Sequence, residues 1–504
     1  MSQPSETISS LGLLPHYDLF INGEFVPSTK PDSKCTSISP VDGSTLSTFA
    51  DASKEDVDKA VEAAWAAFKT WKKTTPFQRS EILIKIAEVI EKNKEKLAKI
   101  ETMDNGKSLR ETLNVDIPTA ARHFRYFAAC IIAEEGSSNI IDEQYLSLIL
   151  REPIGVVGQI VPWNFPFLMG AWKLAPVLAA GDCTVFKPSS ETSLSILELA
   201  RLTKDIIPKG VFNVITGRGS KSGQYLLDHP KLSKLAFTGS TEIGLSVGLA
   251  AAKKIIPCTL ELGGKSANIF FDDCDFDMAI DGACLGILFN QGQVCCAGSR
   301  IFVQETFYDK FVDALIKQFN SVKVGNSLDL NTMMGAQVNA KQLKKILEYV
   351  KIGENEGCKI GCGGVQVTEN GLEKGCYMRP TLLLNATNKM RVAQEEIFGP
   401  VAVVIKFKDV DEVIEMANDS IYGLGGAVWT KDINKAIKVA RSVETGRMWV
   451  NTYNAIPEGA PFGGYKQSGI GRETHKVILE HYTQMKNIMI NLDEAPSGLY
   501  PKAY

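Results

Sequence analysis

The chain has 504 residues, of which 44% are hydrophobic and 22% charged, and its formal net charge is −3. That length is enough for two or more buried cores, and the nearly balanced charge argues against nucleic acid or a membrane surface as a partner. Eleven scattered cysteines, with one adjacent pair, do not fit a disulfide framework and suit a reducing compartment. Residues 1–6 lack the features of a leader peptide and no run is long enough to span a bilayer, so we expect a soluble protein of the cytoplasm.

The amino-terminal part is predicted to form a hairpin followed by two helices. In the hairpin at 19–26, Asn22-Gly23 supplies the positive φ angles of a tight turn. Ser53 is a suitable cap for the first helix. Thr75-Pro76 opens the second helix, which is predicted to continue to a stop at Asn105-Gly106.

From about residue 154, short β-branched runs alternate with helical periods. Such alternation predicts a parallel sheet with covering helices on both faces. The first series has candidate strands at 156–161, 184–186, 211–215, 235–237 and 268–271. The second series has strands at 301–303, 401–407, 426–429 and 448–451, a helix from residue 307 and a helix at 410–418. Two α/β units of this kind predict two domains with a cleft between them.

Two apolar strands, 145–150 and 487–492, have no helix beside them. Each would be an exposed edge in a monomer, and exposed apolar edges are usually covered or paired. We interpret the two strands as a candidate subunit contact; pairing within one chain is an equally compatible alternative.

Cys295 is the first candidate catalytic residue. A buried helix is predicted at 277–290, Gln291-Gly292 ends it, and a strand begins at Arg300, so the thiol lies in a turn where a backbone amide can point at it. A buried structural cysteine is the alternative for any single Cys, and it is the interpretation we adopt for Cys296.

Glu261 is the second candidate. It ends an apolar segment and precedes Gly263-Gly264, where the chain can fold back. A carboxylate in apolar surroundings has a raised pKa, which suits a base that activates water near neutral pH. An ordinary salt-bridged Glu is the alternative. A Walker loop ending at Gly264-Lys265-Ser266 fails, because Thr259 stands where its first glycine is required.

Asn164 is the third candidate, in the stiff loop Pro162-Trp163-Asn164-Phe165-Pro166 at the end of a strand. The carboxyl ends of strands are where α/β sheets bind ligands. A fixed amide there can donate to an oxyanion, and loss of one such donor typically slows a reaction about 100- to 1000-fold. A buried Asn that satisfies loop backbone groups is the alternative.

Two glycine turns are candidate dinucleotide sites. Gly217, Gly219 and Gly223 follow a strand with a spacing one residue longer than the usual fingerprint. Ser240, after Gly239, stands at a helix N-terminus that can bind a pyrophosphate. Lys187 ends a strand where NAD enzymes often carry an acid for the ribose hydroxyls. An ordinary surface turn is the alternative for each one alone.

Together these segments resemble the aldehyde dehydrogenase superfamily, from about residue 17 to the C-terminus. Leu260-Glu-Leu-Gly-Gly-Lys265 and Gly292-Gln-Val-Cys295 look like its two active-site motifs. Gln394-Glu-Glu-Ile-Phe-Gly-Pro400 and Pro461-Phe-Gly-Gly-Tyr-Lys466 are similar to further family blocks. The resemblance is closest to bacterial acetaldehyde dehydrogenase-like enzymes, which carry the motif found here at 462–475.

The resemblance implies oxidation of an aldehyde, short and aliphatic such as acetaldehyde, to the acid with NAD or NADP; no metal ion is expected. Cys295 would be the nucleophile that forms a thiohemiacetal and then a thioester, and Glu261 the base for its hydrolysis. The implied catalytic residues are Cys295, Glu261, Asn164, Lys173 and Glu473, the last two as a proton relay. The implied cofactor-binding residues are Ile160, Pro162, Trp163, Lys187, Ser190, Gly219, Gly223, Phe237, Gly239, Ser240, Leu262, Glu396 and Phe398. The implied lining of the aldehyde tunnel is Phe165, Met169, Trp172 and Phe462.

The family fold also implies a division of the chain. Residues 1–138 and 154–262 would form a Rossmann-like dinucleotide-binding domain, and residues 263–470 a catalytic α/β domain. Residues 139–153 and 482–496 would form the oligomerisation strands of a homodimer or homotetramer.

One position departs from the family pattern. Relatives that prefer NAD usually carry Glu three residues after the Lys at 187, but here that residue is Ser190 and Glu191 is displaced by one. A 2′-phosphate should be repelled less, so we expect NADP to be accepted. Two other interpretations remain, a non-catalytic family member and a cysteine hydrolase. The second is disfavoured because none of the five histidines lies near Cys295 in the sequence.

Overall fold

The computed structural model describes residues 11–500 and 503–504. Residues 1–6, for which the sequence predicts no leader, lie outside that part of the chain, as do the first ten residues of the predicted segment 1–138. No helix in the described ranges is both long and apolar enough to cross a membrane.

The first sheet is mixed and has eight strands within the described residues. Their order across the sheet is Gly469–Ile470, Cys258–Glu261, Lys234–Thr238, Val156–Ile160, Cys183–Lys187, Phe212–Val214, Leu19–Ile21 and Glu24–Val26. The five strands from Cys258–Glu261 to Phe212–Val214 run parallel. Every residue of Cys183–Lys187 and Lys234–Thr238 is buried, as expected for parallel strands covered on both faces.

Local signals in the sequence predicted the amino-terminal hairpin and the first helix correctly. Asn22 and Gly23 have φ angles of 55° and 81°, and the strands on either side pair antiparallel. Ser53 caps Lys54–Trp71 in a reciprocal capping box with Asp56. The turn and the helix cap are both formed by groups that lie within a few residues of each other in the chain.

The second helix was predicted wrongly as one continuous element. It is divided into Pro76–Lys92 and Lys94–Asn105, and Gly106 ends the second part in a left-handed conformation. At the break, the Asn93 side-chain amide donates to the Val89 carbonyl oxygen (2.8 Å). Such a side chain competes with the backbone for hydrogen bonds and interrupts a helix.

The second sheet has seven strands in the part of the chain that the structure describes. Their order is Lys359–Cys362, Thr381–Leu384, Val401–Phe407, Arg300–Gln304, Ala267–Phe270, Gly425–Trp429 and Arg447–Val450, with only Lys359–Cys362 antiparallel to its neighbour. The grouping of 268–271 with the first series was wrong, because Ala267–Phe270 lies in this sheet. Periodicity identifies a strand but does not say which sheet receives it. The strand Cys258–Glu261, which sequence analysis missed, completes the parallel part of the first sheet instead.

The two outlying strands pair with each other. Thr483–Asn491 runs antiparallel to Tyr145–Pro153, which also pairs with Ser137–Ile140. Pairing within one chain is therefore present. Among the described strands, none pairs with the outer edge of Thr483–Asn491.

The other described elements surround these sheets. Smaller sheets are formed by His16–Tyr17, Thr45–Ala50 and Lys34–Ile38, and by Tyr422–Gly423 and Tyr465–Lys466. Further helices and helical turns are Leu109–Glu111, Thr112–Asp116, Ile117–Ile132, Pro166–Ala180, Leu194–Thr203, Gly219–Gly223, Gln224–Asp228, Thr241–Lys254, Phe276–Leu288, Phe289–Gly292, Glu305–Phe307, Tyr308–Ser321, Ala340–Asn355, Arg391–Gln394, Val410–Asn418, Ile433–Ser442 and Lys476–His481.

Candidate active site

A cavity of about 590 Å³ is lined by residues that follow strands of both sheets. Its apolar walls and few convergent polar groups are typical of a small-molecule site. It brings together these residues that the sequence singled out: Pro162, Trp163, Asn164, Phe165, Met169, Trp172, Gly239, Ser240, Glu261, Leu262, Cys295, Glu396, Phe398 and Phe462.

Cys295 follows an unusual turn. The helix predicted at 277–290 ends at Leu288, and Asn290, Gln291 and Gly292 then have φ angles of 49°, 54° and 70°. Only glycine fits at 292, because a Cβ there would lie 2.2 Å from the Gly399 carbonyl oxygen. This left-handed run turns the chain sharply and brings the thiol to the cavity wall.

The Cys295 thiol has a pKa well above its ordinary value. The hydrogen bond with the Cys296 thiol is the largest cause, followed by burial and by the carboxyl groups of Glu261 and Glu396. The resting thiol is therefore protonated, so formation of a thiolate requires a base or a cationic partner close by.

Glu261 is the last residue of its strand and is 3% exposed. Within the described chain neither of its carboxyl oxygens has a hydrogen-bond partner. Burial raises its pKa well above the ordinary value, the nearby Glu473 raises it further, and Lys173 opposes both. An isolated carboxyl with a raised pKa, facing the same cavity as a thiol, has the properties of a general base.

Lys173 and Glu473 form a buried ion pair, each side chain 1% exposed. They do not line the cavity, but both act electrostatically on Glu261 and so lie just behind it. Lys173 comes from the helix Pro166–Ala180, while Glu473 lies after the short strand Gly469–Ile470. A pair of this kind can hold a proton or pass it on from a carboxyl group.

The Asn164 amide is held firmly. Its Nδ2 donates to the Gln293 carbonyl oxygen (2.9 Å), two residues before Cys295. Asn105 Nδ2 donates to the Trp163 carbonyl oxygen (2.6 Å) and fixes the loop from behind. This bond to a loop carbonyl is the structural role considered as the alternative for Asn164, and it uses one of the two hydrogens of the side-chain amide. The second is not used by that contact and is available to a ligand.

Glu396 and Phe398 also line the cavity. Glu396 Oε1 accepts a hydrogen bond from the Gly264 amide (2.9 Å), and burial raises the pKa of Glu396. Phe398 has a φ angle of 62°, and its ring meets that of Trp163 edge to face with centroids 5.2 Å apart. These contacts fix Glu396 against the Gly263-Gly264 turn and Phe398 against the Trp163 ring.

The other predicted cofactor residues do not line the cavity. Ile160, Lys187 and Phe237 lie in the parallel strands of the first sheet, and Ser190, Gly219 and Gly223 follow strands of that set. Burial lowers the pKa of Lys187 to about 8, and its Nζ donates to the Pro188 carbonyl oxygen (3.0 Å). A Cβ on Gly223 would lie 3.4 Å from Lys187 Cε, so this glycine turn packs directly on the lysine.

The second glycine turn ends in a helix cap. Ser240 caps Thr241–Lys254, and its hydroxyl accepts a hydrogen bond from the Ile243 amide. Gly239 packs closely against the Phe237 ring, since a Cβ there would lie 2.4 Å from it. The hydroxyl of Thr238 is buried and has no hydrogen-bond partner among the described residues. A helix N-terminus beside an unpaired hydroxyl fits a phosphate group.

Several cavity residues were missed by sequence analysis. Val115, Thr119 and Arg122 line the mouth at spacings of four and three residues, which places them on one face of the helical segment. Arg122 Nε donates to Glu458 Oε1 (3.0 Å). The helical spacing is visible in the sequence, but nothing in these residue types indicates which face meets a cavity.

Known proteins with the same architecture were identified. A family model described as the aldehyde dehydrogenase family matches residues 25–488. The chain is 49% identical over 493 residues to an acetaldehyde dehydrogenase of Pseudomonas aeruginosa, covering 96% of this chain and 97% of that protein. An NAD+ complex of an aldehyde dehydrogenase from Bacillus cereus matches with a TM-score of 0.94 and 40% identity, over 98% of this chain and 99% of that one. A betaine aldehyde dehydrogenase from Staphylococcus aureus, in complex with NAD+, matches with a TM-score of 0.95 and 39% identity, over 99% of both chains.

The chain therefore belongs to the aldehyde dehydrogenase family. The resemblance inferred from its motifs is confirmed, and so is the predicted α/β fold. By class it is an NAD(P)-dependent aldehyde dehydrogenase, an enzyme that oxidises an aldehyde to the acid.

Proposed function

We propose that Cys295 is the nucleophile and that the reaction passes through a covalent acyl-enzyme. After its proton has passed to solvent water, the Cys295 sulfur attacks the aldehyde carbon and forms a thiohemiacetal, whose oxyanion accepts hydrogen bonds from the Asn164 side-chain amide and the Cys295 backbone amide. The nicotinamide of NAD(P)+ supplies the acceptor for the hydride that leaves this carbon. What remains on Cys295 is a thioester.

Glu261 releases the product in this proposal. It takes a proton from a water molecule, and the hydroxide formed attacks the thioester carbonyl, which breaks the carbon–sulfur bond, frees the acid and leaves Cys295 as a thiolate. The proton then passes to the buried pair behind Glu261, formed by Lys173 and Glu473. In this family, members that transfer the acyl group to coenzyme A typically lack the carboxylate, so Glu261 supports hydrolysis.

The observation that carries the proposal is the single cavity that holds Cys295, Glu261 and Asn164. The same cavity weighs against a cysteine hydrolase, because no histidine is among its described lining residues. Glu261→Gln should keep a first-turnover burst of reduced nicotinamide and lose the steady-state rate, while Cys295→Ala should lose both. An unchanged steady-state rate in Glu261→Gln would contradict the assignment, and turnover by Cys295→Ala would rule out the covalent route.

We infer a short aliphatic aldehyde as the substrate. The walls beside Cys295 are apolar and aromatic, with the rings of Trp172 and Phe462 5.5 Å apart. The relative from Pseudomonas aeruginosa, described as an acetaldehyde dehydrogenase, supports this assignment. A panel of aldehydes assayed for kcat/KM tests it, and acetaldehyde and propanal should exceed benzaldehyde and aminoaldehydes.

We infer that NAD binds across the carboxyl ends of the parallel strands and that NADP is also accepted. The glycine turn at 219–223, the Ser240 cap and the unpaired Thr238 hydroxyl fit a dinucleotide. Because residue 190 is a serine, no carboxylate stands three residues after Lys187. The neighbouring carboxylate, that of Glu191, accepts a hydrogen bond from Asn339 Nδ2 (2.8 Å). Kinetics with both cofactors decide this point, and strict use of NAD would refute acceptance of NADP.

We propose that the chain acts as a homodimer or homotetramer in the cytoplasm. The unpaired edge of Thr483–Asn491 can add a strand from another copy. The helix Thr241–Lys254 exposes Leu245 and Leu249, at 65% and 56% of their surface. Light scattering at micromolar concentration tests this, and a monomer would contradict it. In this assembly residues 139–153 and 482–496 form the contact, residues 1–138 and 154–262 bind the cofactor, and residues 263–470 carry the nucleophile.

A further inference from the structure

A cluster of charged side chains lies buried behind the cavity and has no part in the mechanism above. It consists of Glu101, Lys107, Glu111 and Asp116. Lys107 and Asp116 form an ion pair (2.6 Å) with both side chains 0% exposed. Glu101 and Glu111 have no cation of their own, and one oxygen of each is without a hydrogen-bond partner in the described chain. Groups this costly to bury call for a physical reason.

Glu111 holds the turn that precedes the nucleophile. Its Oε1 accepts a hydrogen bond from the backbone amide of Asn290 (3.1 Å). Asn290 and Gln291 are the left-handed pair, a conformation that costs non-glycine residues energy, less for Asn than for Gln, and that is kept where the surroundings support it. The Glu111 carboxyl group is therefore one of the groups that support this turn.

Asn290 in turn connects the two segments that would form the oxyanion site. Its Nδ2 donates to the Asn164 carbonyl oxygen (2.9 Å) and to the Gln293 carbonyl oxygen (3.1 Å). The Asn164 amide donates to the same Gln293 oxygen (2.9 Å). A displacement of Asn290 would therefore shift the Asn164 loop and the Cys295 turn relative to each other.

The other cluster members brace the Asn164 loop from behind. Glu101 Oε1 accepts a hydrogen bond from the Phe167 amide (3.0 Å), in the first turn of the helix after that loop. Lys107 Nζ lies 4.0 Å from the centroid of the Phe165 ring. The cluster thus contacts both walls of the proposed oxyanion site without touching the cavity itself.

Burial raises the pKa of Glu101 and of Glu111 to about 7 each. With one cation for three carboxyl groups, repulsion from Asp116 also disfavours ionisation of both glutamates. A neutral carboxyl still offers an acceptor oxygen to the Asn290 amide, so a glutamine can replace it in this contact.

We propose that Glu111 is a positioning residue of this enzyme, whose carboxyl oxygen sets the Asn290 turn and through it the relative placement of the Asn164 amide and Cys295. The inference rests on the proposed roles of those two residues. It predicts a defect in the first, covalent and hydride-transfer steps and not in substrate affinity.

Three variants of the full-length enzyme test this inference by single-turnover formation of reduced nicotinamide, expressed per thiol titrated at Cys295. Glu111→Ala removes the acceptor, Glu111→Asp withdraws it by one methylene, about 1.5 Å, and Glu111→Gln retains it. The first two should react about 10- to 100-fold more slowly with little change in KM, because a small misplacement of reacting groups has effects of this size. Glu111→Gln should react at close to the wild-type rate.

Asp182→Asn and Asp182→Ala are matched controls. Asp182 is fully buried, accepts a backbone hydrogen bond from Gly155 (2.8 Å), and leaves its other oxygen unpaired among the described residues. Its variants should lose stability but keep the wild-type rate per titrated thiol, which separates positioning from general loss of fold. If Glu111→Ala does not fold, Glu111→Asp decides.

A wild-type rate in Glu111→Asp or Glu111→Ala would overturn the inference, and so would an equally slow Glu111→Gln. Failure of the proposed function gives a different result, namely turnover by Cys295→Ala with no thiol-dependent burst. The two failures are therefore distinguishable in one set of measurements.

Discussion

Removing either partner of the buried Lys173–Glu473 pair should shift the pH dependence of thioester hydrolysis, and the two directions should be opposite. Glu473 raises the pKa of Glu261, whereas Lys173 lowers it. Glu473→Gln removes the carboxylate and leaves the ammonium, so Glu261 should ionise at lower pH. Lys173→Met removes the ammonium, so Glu261 should ionise at higher pH. Hydrolysis requires ionised Glu261. The acid limb of its pH–rate profile should therefore move to lower pH in Glu473→Gln and to higher pH in Lys173→Met.

The loss of folding free energy in the single variants follows from the burial of the pair. Each side chain is 1% exposed, so either single substitution leaves a charge without its partner. Breaking a buried pair in this way typically costs about 3–5 kcal/mol of folding free energy, whereas replacing both partners is often nearly neutral. The double variant should therefore be more stable than either single one. On the acid limb, hydrolysis by each variant should change about tenfold per pH unit, the slope of a single titrating group.

The assay is the decay of acylated Cys295, followed by quenching at successive times and measuring the intact mass of the protein at several pH values. Urea denaturation of the three variants gives the stability comparison. Equal shifts in both single variants, or no shift in either, would refute the placement of this pair beside Glu261. A double variant less stable than both single variants would refute the compensation between them.

Three further results are expected. Asn164→Ala should slow acylation about 100- to 1000-fold by removing a donor to the oxyanion, as measured in single turnovers. An unchanged rate would contradict that role and would mean that the Asn164 amide serves only to bond the Gln293 carbonyl oxygen. Gly292→Ala should yield little folded enzyme in thermal unfolding, because its Cβ would lie 2.2 Å from the Gly399 carbonyl oxygen; normal stability would contradict this close approach. Ser53→Ala should lose about 1 to 2 kcal/mol with no change in kcat, since it removes a helix cap and the hydrogen bond between the hydroxyls of Ser53 and Thr29 (2.6 Å), both away from the cavity, and a change in kcat would contradict that limited role.

Short-range chemistry explains what the sequence could predict about the fold. Asn22-Gly23 and Ser53 act through groups within a few residues, so their effect is readable without tertiary structure. The break at Asn93 was missed because an asparagine inside a helical period is common and interrupts it only when its side chain bonds the backbone. The sheet that receives Ala267–Phe270 depends on long-range pairing, which hydrophobic periodicity does not encode.

The candidate site likewise contains residues that local sequence signals identify and residues that only tertiary contacts reveal. Glu261 and Cys295 stand out in the sequence because glycine turns and family motifs surround them, and both line the cavity. Glu111 and Arg122 were missed because a charged residue on a helix is most often solvated. Glu111 is instead 8% exposed and bonded to Asn290, and no local feature of the sequence distinguishes it from an exposed glutamate.

The electrostatics of the cavity couple the two stages of the proposed reaction. Cys295 and Glu261 each have a raised pKa, and the carboxylate of Glu261 is among the groups that raise the pKa of the thiol. Ionising one of them therefore disfavours ionising the other. A thiolate at Cys295 disfavours ionisation of Glu261, and this repulsion is absent once the sulfur is acylated and neutral, while burial opposes ionisation of Glu261 throughout. Acylation of the thiolate therefore removes one of the charges that oppose ionisation of the base, so the same pocket can support both stages.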